Sequence, residues 1–227
     1  MIGNIFKIER DGVDFPFYKD NPKLKAVDWV LLLMICFLSY FKPLELPMPL
    51  IICFLSFVVT LIITKLDISL FFKKLVPEDI PIIIVLVILT IFLSELLFWT
   101  LVNVGLMSND SGVYSHGILV DIVNLVVCLF GEELFKFCIF IFGLVLVYKL
   151  TSNRKVSIVF AAFLTMLLFG TYHFYEGYGN LLSFIIMQGF GSIFDVLAYI
   201  KTKNVLVSYL IHLIFDIYCF IPVWFIT

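Results

Sequence analysis

Seven apolar segments, of which the first is short enough to be a tilted or partial span, constrain the fold of this 227-residue chain more than any other feature. A helix needs about 20 apolar residues to cross the roughly 30 Å hydrocarbon layer of a bilayer, where only helices and closed barrels satisfy their backbone hydrogen bonds. Hydrophobic residues make up 63% of the chain and charged residues 14%, which is far from a soluble domain. The sequence therefore predicts an all-α, polytopic integral membrane helical bundle of about seven transmembrane helices. The predicted spans are Trp29–Phe41, Met48–Thr64, Pro81–Met107, Leu119–Tyr148, Val156–Tyr175, Leu181–Ile200 and Val205–Thr227.

The basic residues predict the orientation of these spans, because loops that stay in the cytoplasm keep an excess of lysine and arginine. Thirteen of the fifteen basic residues precede the first span or lie between spans two and three, four and five, or six and seven. Of the other two, Lys42 lies in another connection and Lys136 lies inside the fourth span. The pattern indicates a multi-pass protein of the cell membrane with its N-terminus in the cytoplasm.

The net charge and the N-terminal segment limit the expected partners. A formal charge of −2 offers no basic surface for a nucleic acid, so the lipid bilayer is the expected surrounding. Residues 1–28 mix charged and aromatic side chains and lack the apolar core of a signal peptide. We expect this segment to be a cytoplasmic amphipathic element that lies along the inner leaflet or docks onto a partner.

Several ionisable side chains lie inside the predicted spans. Such a residue costs at least about 2.5–3.5 kcal/mol at the bilayer centre, so its presence there is a functional hypothesis by default. Residues three or four apart share a helix face, so Lys136 is predicted to reach both glutamates of its span. An ammonium beside two carboxylates favours one ionised carboxylate, as a general base requires. The residues are Glu132, Glu133 and Lys136 in span four, His173 in span five, and His212 and Asp216 in span seven.

Two simpler interpretations of these residues remain open at this point. The charged groups could form ion pairs that hold helices together, or they could line a proton or ion path. Asp195, in the sixth span, is expected to border the same cavity. Glu95 and Asp121 also lie at membrane depth but carry a weaker indication of function.

Three ordered motifs resemble those of a known family. The segments "GEELFKF", "FGTYH" and "LIHLIFD" are similar to the EExxxR, FxxxH and HxxxN/D motifs of the CPBP family, also called Abi, which comprises CAAX proteases and bacteriocin-processing enzymes. The resemblance covers the chain from about Leu119 onwards. In the first motif Phe137 stands at the arginine position, and Lys136 makes the motif similar to the EExxK of PrsW-type membrane proteases.

The resemblance implies an intramembrane endopeptidase that hydrolyses a peptide bond of a membrane-associated peptide or protein. Glu132 would be the general base acting on a water also held by His173, and Glu133 would support it. His212 and Asp216 would face the scissile carbonyl, with His212 able to donate to the oxyanion and Asp216 orienting His212 or holding a proton.

The resemblance also divides the chain and adds two supporting residues. Residues 29–118 would be accessory transmembrane helices, and residues 119–227 would form the catalytic core. Lys136 and Phe169, the first residue of the FxxxH motif, would support the catalytic groups.

Three alternatives stand beside this interpretation. The first is a zinc ion held by Glu132, His173 and His212, which are ligand types of a catalytic zinc site, although the chain has no HExxH motif and we otherwise expect no cofactor. The second is a bacteriocin self-immunity or scaffold protein of the same fold that binds another membrane protein. The third is a transporter or proton-relay subunit, against which the absence of internal repeats counts mildly.

The predicted depths of the motif residues disagree with one another. At about 1.5 Å per residue, Glu132 and His173 lie roughly 24 and 26 Å from the cytoplasmic ends of their spans, whereas His212 lies only about 11 Å from its own. These groups can share one water-accessible pocket only if span seven is tilted, if its helix begins inside the bilayer, or if the predicted span boundaries are wrong by a turn.

Overall fold

A computed structural model of the chain describes residues 8–18, 23–38, 40, 48–108, 117–174 and 180–226. Within these residues the chain forms helices and no strand, so the prediction of an all-α fold is confirmed. The α-helices are α1 Ala26–Leu38, α2 Met48–Ile63, α3 Asp79–Asn103, α4 Ile118–Thr151, α5 Arg154–Phe174, α6 Leu181–Phe184, α7 Ile193–Thr202 and α8 Val205–Ile226.

Four helical stretches of the described chain are long and apolar enough to cross a membrane. They are Asp79–Asn103, Arg154–Phe174, Leu181–Thr202 and Val205–Pro222, and the apolar helices Ala26–Leu38 and Ile51–Ile63 are shorter. The stretches support a membrane protein, whereas the count of seven spans stays a prediction. Parts of the sequence prediction lie outside the described residues: residues 1–7 and 19–22 of the N-terminal segment, the span ends Phe41, Tyr175 and Thr227, and Lys42.

Helix α4 is the central helix of the bundle. It packs against α1, α2, α5 and α8, and every residue from Gly131 to Ile141 is buried. A helix that is buried all round belongs to a core, so polar side chains on this stretch must meet partners from neighbouring helices. The first motif lies within this buried stretch.

The segment from Leu181 to Thr202 changes its helical winding partway along. After α6 the chain makes a wide π-type turn over Ile185–Gly189 and a tight 3-10 turn over Phe190–Ser192 before α7 begins. A side chain at Gly170 of α5 would place its Cβ 2.6 Å from the Cα of Ile185. The glycine therefore permits the irregular turn to lie directly against α5.

The N-terminal segment packs on one end of the bundle. The backbone N–H of Arg10 donates to the oxygen of Lys201 at 3.0 Å, and its guanidinium lies 2.5 Å from Asp79 at the start of α3. Glu9 lies 2.5 Å from Arg154 at the start of α5. Three of the connections with excess basic residues therefore meet the N-terminal segment at the same end, which is the arrangement the charge pattern predicts.

Glu9 joins two cationic side chains at this end. Its carboxylate contacts Arg154 and also lies 2.7 Å from the ammonium of Lys203. Partial burial opposes ionisation of Glu9, but the hydrogen bonds from Arg154 and Lys203 outweigh it and hold the pKa of Glu9 below its usual value of 4.5.

The turn between α7 and α8 lies inside the protein. Lys203 and Asn204 are buried, and the backbone N–H of Val205 donates to the oxygen of Phe71 at 2.9 Å. The side-chain amide of Asn204 also exchanges two hydrogen bonds of 3.0 Å with the backbone of Lys73. The turn before α8 is therefore covered by other parts of the chain, whereas Ser152 and Asn153 in the turn between α4 and α5 are exposed.

Candidate active site

Glu133 is the centre of the buried half of a polar cluster. One carboxylate oxygen, Oε1, pairs with the ammonium of Lys136 one turn along α4 and lies 2.8 Å from Nδ1 of His212. The other oxygen, Oε2, lies 2.5 Å from the hydroxyl oxygen of Ser208 on α8. The carboxylate thus joins α4 to α8, and its side chain is only 2% exposed.

Lys136 is held between two helices and an aromatic ring. Its ammonium lies 3.0 Å from Oδ2 of Asp195 on α7 and 4.6 Å from the ring centre of Phe169 on α5. The predicted contact of Lys136 with Glu133 is confirmed. The second carboxylate that the structure places against it is that of Asp195, not the predicted Glu132, because α7 packs its carboxylate into the core beside α4.

Glu132 lies between the two intramembrane imidazoles. Its Oε2 is 4.0 Å from Nε2 of His173 and 4.0 Å from Nε2 of His212. These separations exceed the 2.7–3.2 Å of a direct hydrogen bond, but one water molecule can bridge groups at this spacing. The structure thus brings together the three groups from three helices that the sequence predicts to converge.

His212 has a different neighbour at each ring nitrogen. Nδ1 faces Glu133, while Nε2 faces Glu132 and lies 3.8 Å from Oδ1 of Asp216. The family resemblance implied that Asp216 orients His212 or holds a proton. The shorter contact is with Glu133, so Glu133 provides the stronger constraint on the ring and Asp216 borders the opposite nitrogen.

Phe169 contacts both imidazoles and the ammonium of Lys136. Its ring stands edge-on to His173 with centroids 4.7 Å apart and to His212 at 6.2 Å. The positive edge of one ring against the face of another is a favoured aromatic arrangement. The structure therefore places the predicted supporting residue against the charged groups of α4 and α8 as well as its own helix.

Exposure increases across the cluster from Glu133 towards Asp216. The exposed side-chain fraction is 8% for Glu132, 12% for His173 and 25% for Asp216. The cluster is thus more open towards Asp216, which lies further along α8 from the N-terminal segment. A cavity of about 10 Å³ beside Glu133 and Lys136 has room for about one water molecule.

The structure brings His212 to the level of Glu132 despite the depth difference found in the sequence. His212 lies two turns into α8, yet its Nε2 is 4.0 Å from Oε2 of Glu132. Which of the three explanations accounts for this meeting stays a prediction.

The cluster contains one group of potential metal ligands. Atoms of Glu133, Asp195 and His212 lie within 4.8 Å of one another. The ammonium of Lys136 already lies against all three, at 3.0 Å from Asp195 and 3.4 Å from His212, so these residues suit an internal cation better than a metal ion.

The predicted zinc ligands fit the metal less closely. A tetrahedral zinc with ligand bonds of about 2.1 Å would place its ligand atoms about 3.4 Å apart. The oxygen of Glu132 lies 4.0 Å from each imidazole nitrogen, which is wider. Zinc stays an alternative that needs these side chains to move together.

Two residues of the cluster have a larger role than the sequence assigned. The sequence indicated only that Asp195 borders the cavity, and it assigned no role to Ser208. The signal for Ser208 was its spacing, because Ser208, His212 and Asp216 recur every four residues along one face of α8. Phe137, at the arginine position of the family motif, packs between the rings of Phe71 and Tyr199 and belongs to the apolar core.

No family model, curated protein or solved structure matches this chain. The resemblance to CPBP proteases is therefore a hypothesis that depends on the motif residues and on the geometry they adopt.

Proposed function

We propose that the protein is an intramembrane endopeptidase that hydrolyses a peptide bond of a membrane-associated peptide or protein. The observation that carries the proposal is the position of the Glu132 carboxylate, 4.0 Å from an imidazole nitrogen on each of two other helices. One water molecule at this point would contact a base and two imidazoles. Placing such ionisable groups in a membrane helix is costly, so a purely structural role explains them poorly.

The proposed reaction uses this water as the nucleophile. Glu132 accepts a proton from the water while the oxygen of the water forms a bond to the carbonyl carbon of the substrate. The proton then passes to the amide nitrogen as the carbon–nitrogen bond breaks, which leaves a carboxylic acid and an amine. His173 holds the water beside Glu132, because a general base must lie within hydrogen-bonding distance of the proton that it removes.

His212 and Asp216 supply the other side of the reacting carbonyl in this proposal. His212 donates from Nε2 to the developing oxyanion when its ring is doubly protonated, and the carboxylates of Glu132 and Asp216 beside Nε2 offset that charge. One such donor lowers the barrier by roughly 3–4 kcal/mol. Glu133 keeps the ring in place at Nδ1.

The orientation of the site follows from the charge pattern. With seven spans in the cell membrane and the N-terminus in the cytoplasm, the open end of the cluster belongs to the outer half of the bilayer. A substrate would therefore enter from that side or laterally from the lipid.

The experiment compares membranes of the native host carrying the wild-type protein, Glu132→Gln or His173→Ala. Mass spectrometry of new peptide termini should reveal a product that both variants abolish, since each removes a group that contacts the water. Asp121→Asn is the matched control, because Asp121 is also a buried carboxylate of α4 but bonds to Trp224 instead of the cluster.

The alternatives predict different outcomes of the same experiment. A self-immunity or scaffold protein would keep its phenotype in Glu132→Gln and His173→Ala, and this result would refute the protease proposal. A transporter would show substrate flux in proteoliposomes without a cleavage product. If zinc is required, a chelator should abolish processing and added zinc should restore it.

A further inference from the structure

We propose that Asp195 is a positioning residue that keeps a proton on Nδ1 of His212 by holding the ammonium of Lys136 away from that nitrogen. The proton on Nδ1 of His212 can be observed whatever the protein does, whereas its consequence for catalysis rests on the proposed function.

Two groups of opposite hydrogen-bonding character compete for Nδ1 of His212. Oε1 of Glu133 lies 2.8 Å from it, and the ammonium nitrogen of Lys136 lies 3.4 Å from it. A carboxylate only accepts and an ammonium only donates. Contact with Glu133 therefore requires a proton on Nδ1, whereas a hydrogen bond from Lys136 requires a bare Nδ1.

Asp195 decides this competition by attracting Lys136. Its Oδ2 lies 3.0 Å from the ammonium, on a different helix from Glu133 and His212. Lys136 and Asp195 are each about 4% exposed, so bulk water does not replace this partner. Without the carboxylate of Asp195, the nearest further acceptor for the ammonium is the imidazole nitrogen.

Ser208 reinforces the arrangement from α8. Its hydroxyl oxygen lies 2.5 Å from Oε2 of Glu133 and 2.9 Å from the backbone oxygen of Asp195. The hydroxyl therefore joins the carboxylate that faces Nδ1 to the helix that carries Asp195. Ser208 is one turn before His212, so α8 places both side chains on the same face.

The location of the proton determines what Nε2 of His212 can do. With a proton on Nδ1, Nε2 of the neutral ring is bare, and a second proton there makes the charged donor that the proposed mechanism uses. With the proton on Nε2 alone, the bare Nδ1 could not donate to Glu133, and the ring would lose the hydrogen bond that holds it in place. The histidine tautomer is usually set by the hydrogen bond at the other nitrogen.

Nitrogen NMR of the full chain in lipid nanodiscs tests the inference. The chain has three histidines, so ¹⁵N-histidine labelling with single His→Gln variants assigns His212. The wild type should show a proton on Nδ1 at neutral pH. Asp195→Asn should lose this signal and gain one for a bare Nδ1, whereas Asp195→Glu should retain it in part and Asp121→Asn in full.

A double variant separates competition from general damage. Lys136→Met in the Asp195→Asn background removes the competing donor, so the proton signal of Nδ1 should return. A bare Nδ1 in the wild type would overturn the inference whether or not the variants fold. Retention of the Nδ1 proton in folded Asp195→Asn would also overturn it.

The processing assay distinguishes this inference from the proposed function. Asp195→Asn should reduce processing about 10–100-fold, as loss of an outer hydrogen-bonding partner does at comparable sites. If the NMR signals behave as expected but no cleavage product depends on Glu132 or His173, the protease proposal fails and the positioning role stands. If Glu132→Gln abolishes processing while Asp195→Asn leaves both the Nδ1 proton and processing unchanged, only the positioning role fails.

Discussion

Lys136 shows how a charge is accommodated in an apolar core. A lone ammonium in this environment would cost several kcal/mol, but Glu133 and Asp195 supply two carboxylates and Phe169 supplies an aromatic face. The net charge of this group depends on all its members. Removal of the cation therefore leaves two carboxylates close together with one imidazole to compensate them.

Lys136→Met should destabilise the protein by about 3–5 kcal/mol, because it leaves buried carboxylates unpaired. Lys149→Met is the control, since Lys149 is exposed near the end of α4 and packs over the ring of Trp29, a contact that contributes about 1 kcal/mol at most. Unfolding in mixed detergent micelles measures both free energies. Equal stability of the two variants would contradict the ion-pair account.

At the scale of helices, close backbone approach decides how α5 meets the segment after α6. Gly170 lies against the π-type turn, where an added Cβ would come within 2.8 Å of the backbone oxygen of Phe184. Gly189 on the same turn lies against the oxygen of Met166. Close packing of the backbone therefore requires a glycine at Gly189, whereas an added Cβ at Gly191 would meet no atom within 4 Å.

Gly170→Ala should cost about 1–3 kcal/mol, because the backbone atoms it meets can move only together with the whole turn. Gly191→Ala should change stability by about 0.5 kcal/mol or less, since open space surrounds that position. Thermal unfolding in nanodiscs compares the two variants. A loss at Gly191→Ala equal to that at Gly170→Ala would rule out local crowding as the cause.

At the scale of the whole molecule, the N-terminal segment and the buried turn after α7 form one structure. Phe15, Phe17 and Tyr18 are buried on the bundle, and Glu9 pairs with Lys203 beneath them. Residues 8–18 thus dock on the chain itself, while the expected location along the inner leaflet or against a partner stays a prediction. The docked segment covers the turn that precedes α8.

Glu9→Gln should lower stability by about 1 kcal/mol at neutral pH, as expected for a partly exposed ion pair. The folded pKa of Glu9 is lowered, so its contribution is present above the unfolded value of about 4.5 and is lost as the pH falls through the folded value. The difference between wild type and variant should therefore shrink below about pH 4.5. Glu78→Gln, at an exposed carboxylate, is the control in thermal unfolding across the same pH series.

Many features of the candidate site could be predicted from the sequence because they depend on local spacing. Glu132, Glu133 and Lys136 share one helix, so the contact between Glu133 and Lys136 followed from the 3.6-residue period. The convergence of His173 and His212 on Glu132 was predicted only through the family motifs, since these residues are far apart in the chain. Asp195 and Ser208 were missed as partners because helix rotation and depth decide which side chains meet.

The sequence by itself determined that the chain forms apolar helices and that a few of them carry ionisable groups. Both follow from composition and period, because backbone groups in lipid must be satisfied within each helix. Only the tertiary structure decided that Asp195 pairs with the ammonium of Lys136, that Glu133, itself bonded by Ser208, holds His212, and that the turn before α8 is buried. The physical reason is that buried charges are stabilised by whichever opposite charges the packing brings within hydrogen-bonding distance, and that choice belongs to the assembled bundle.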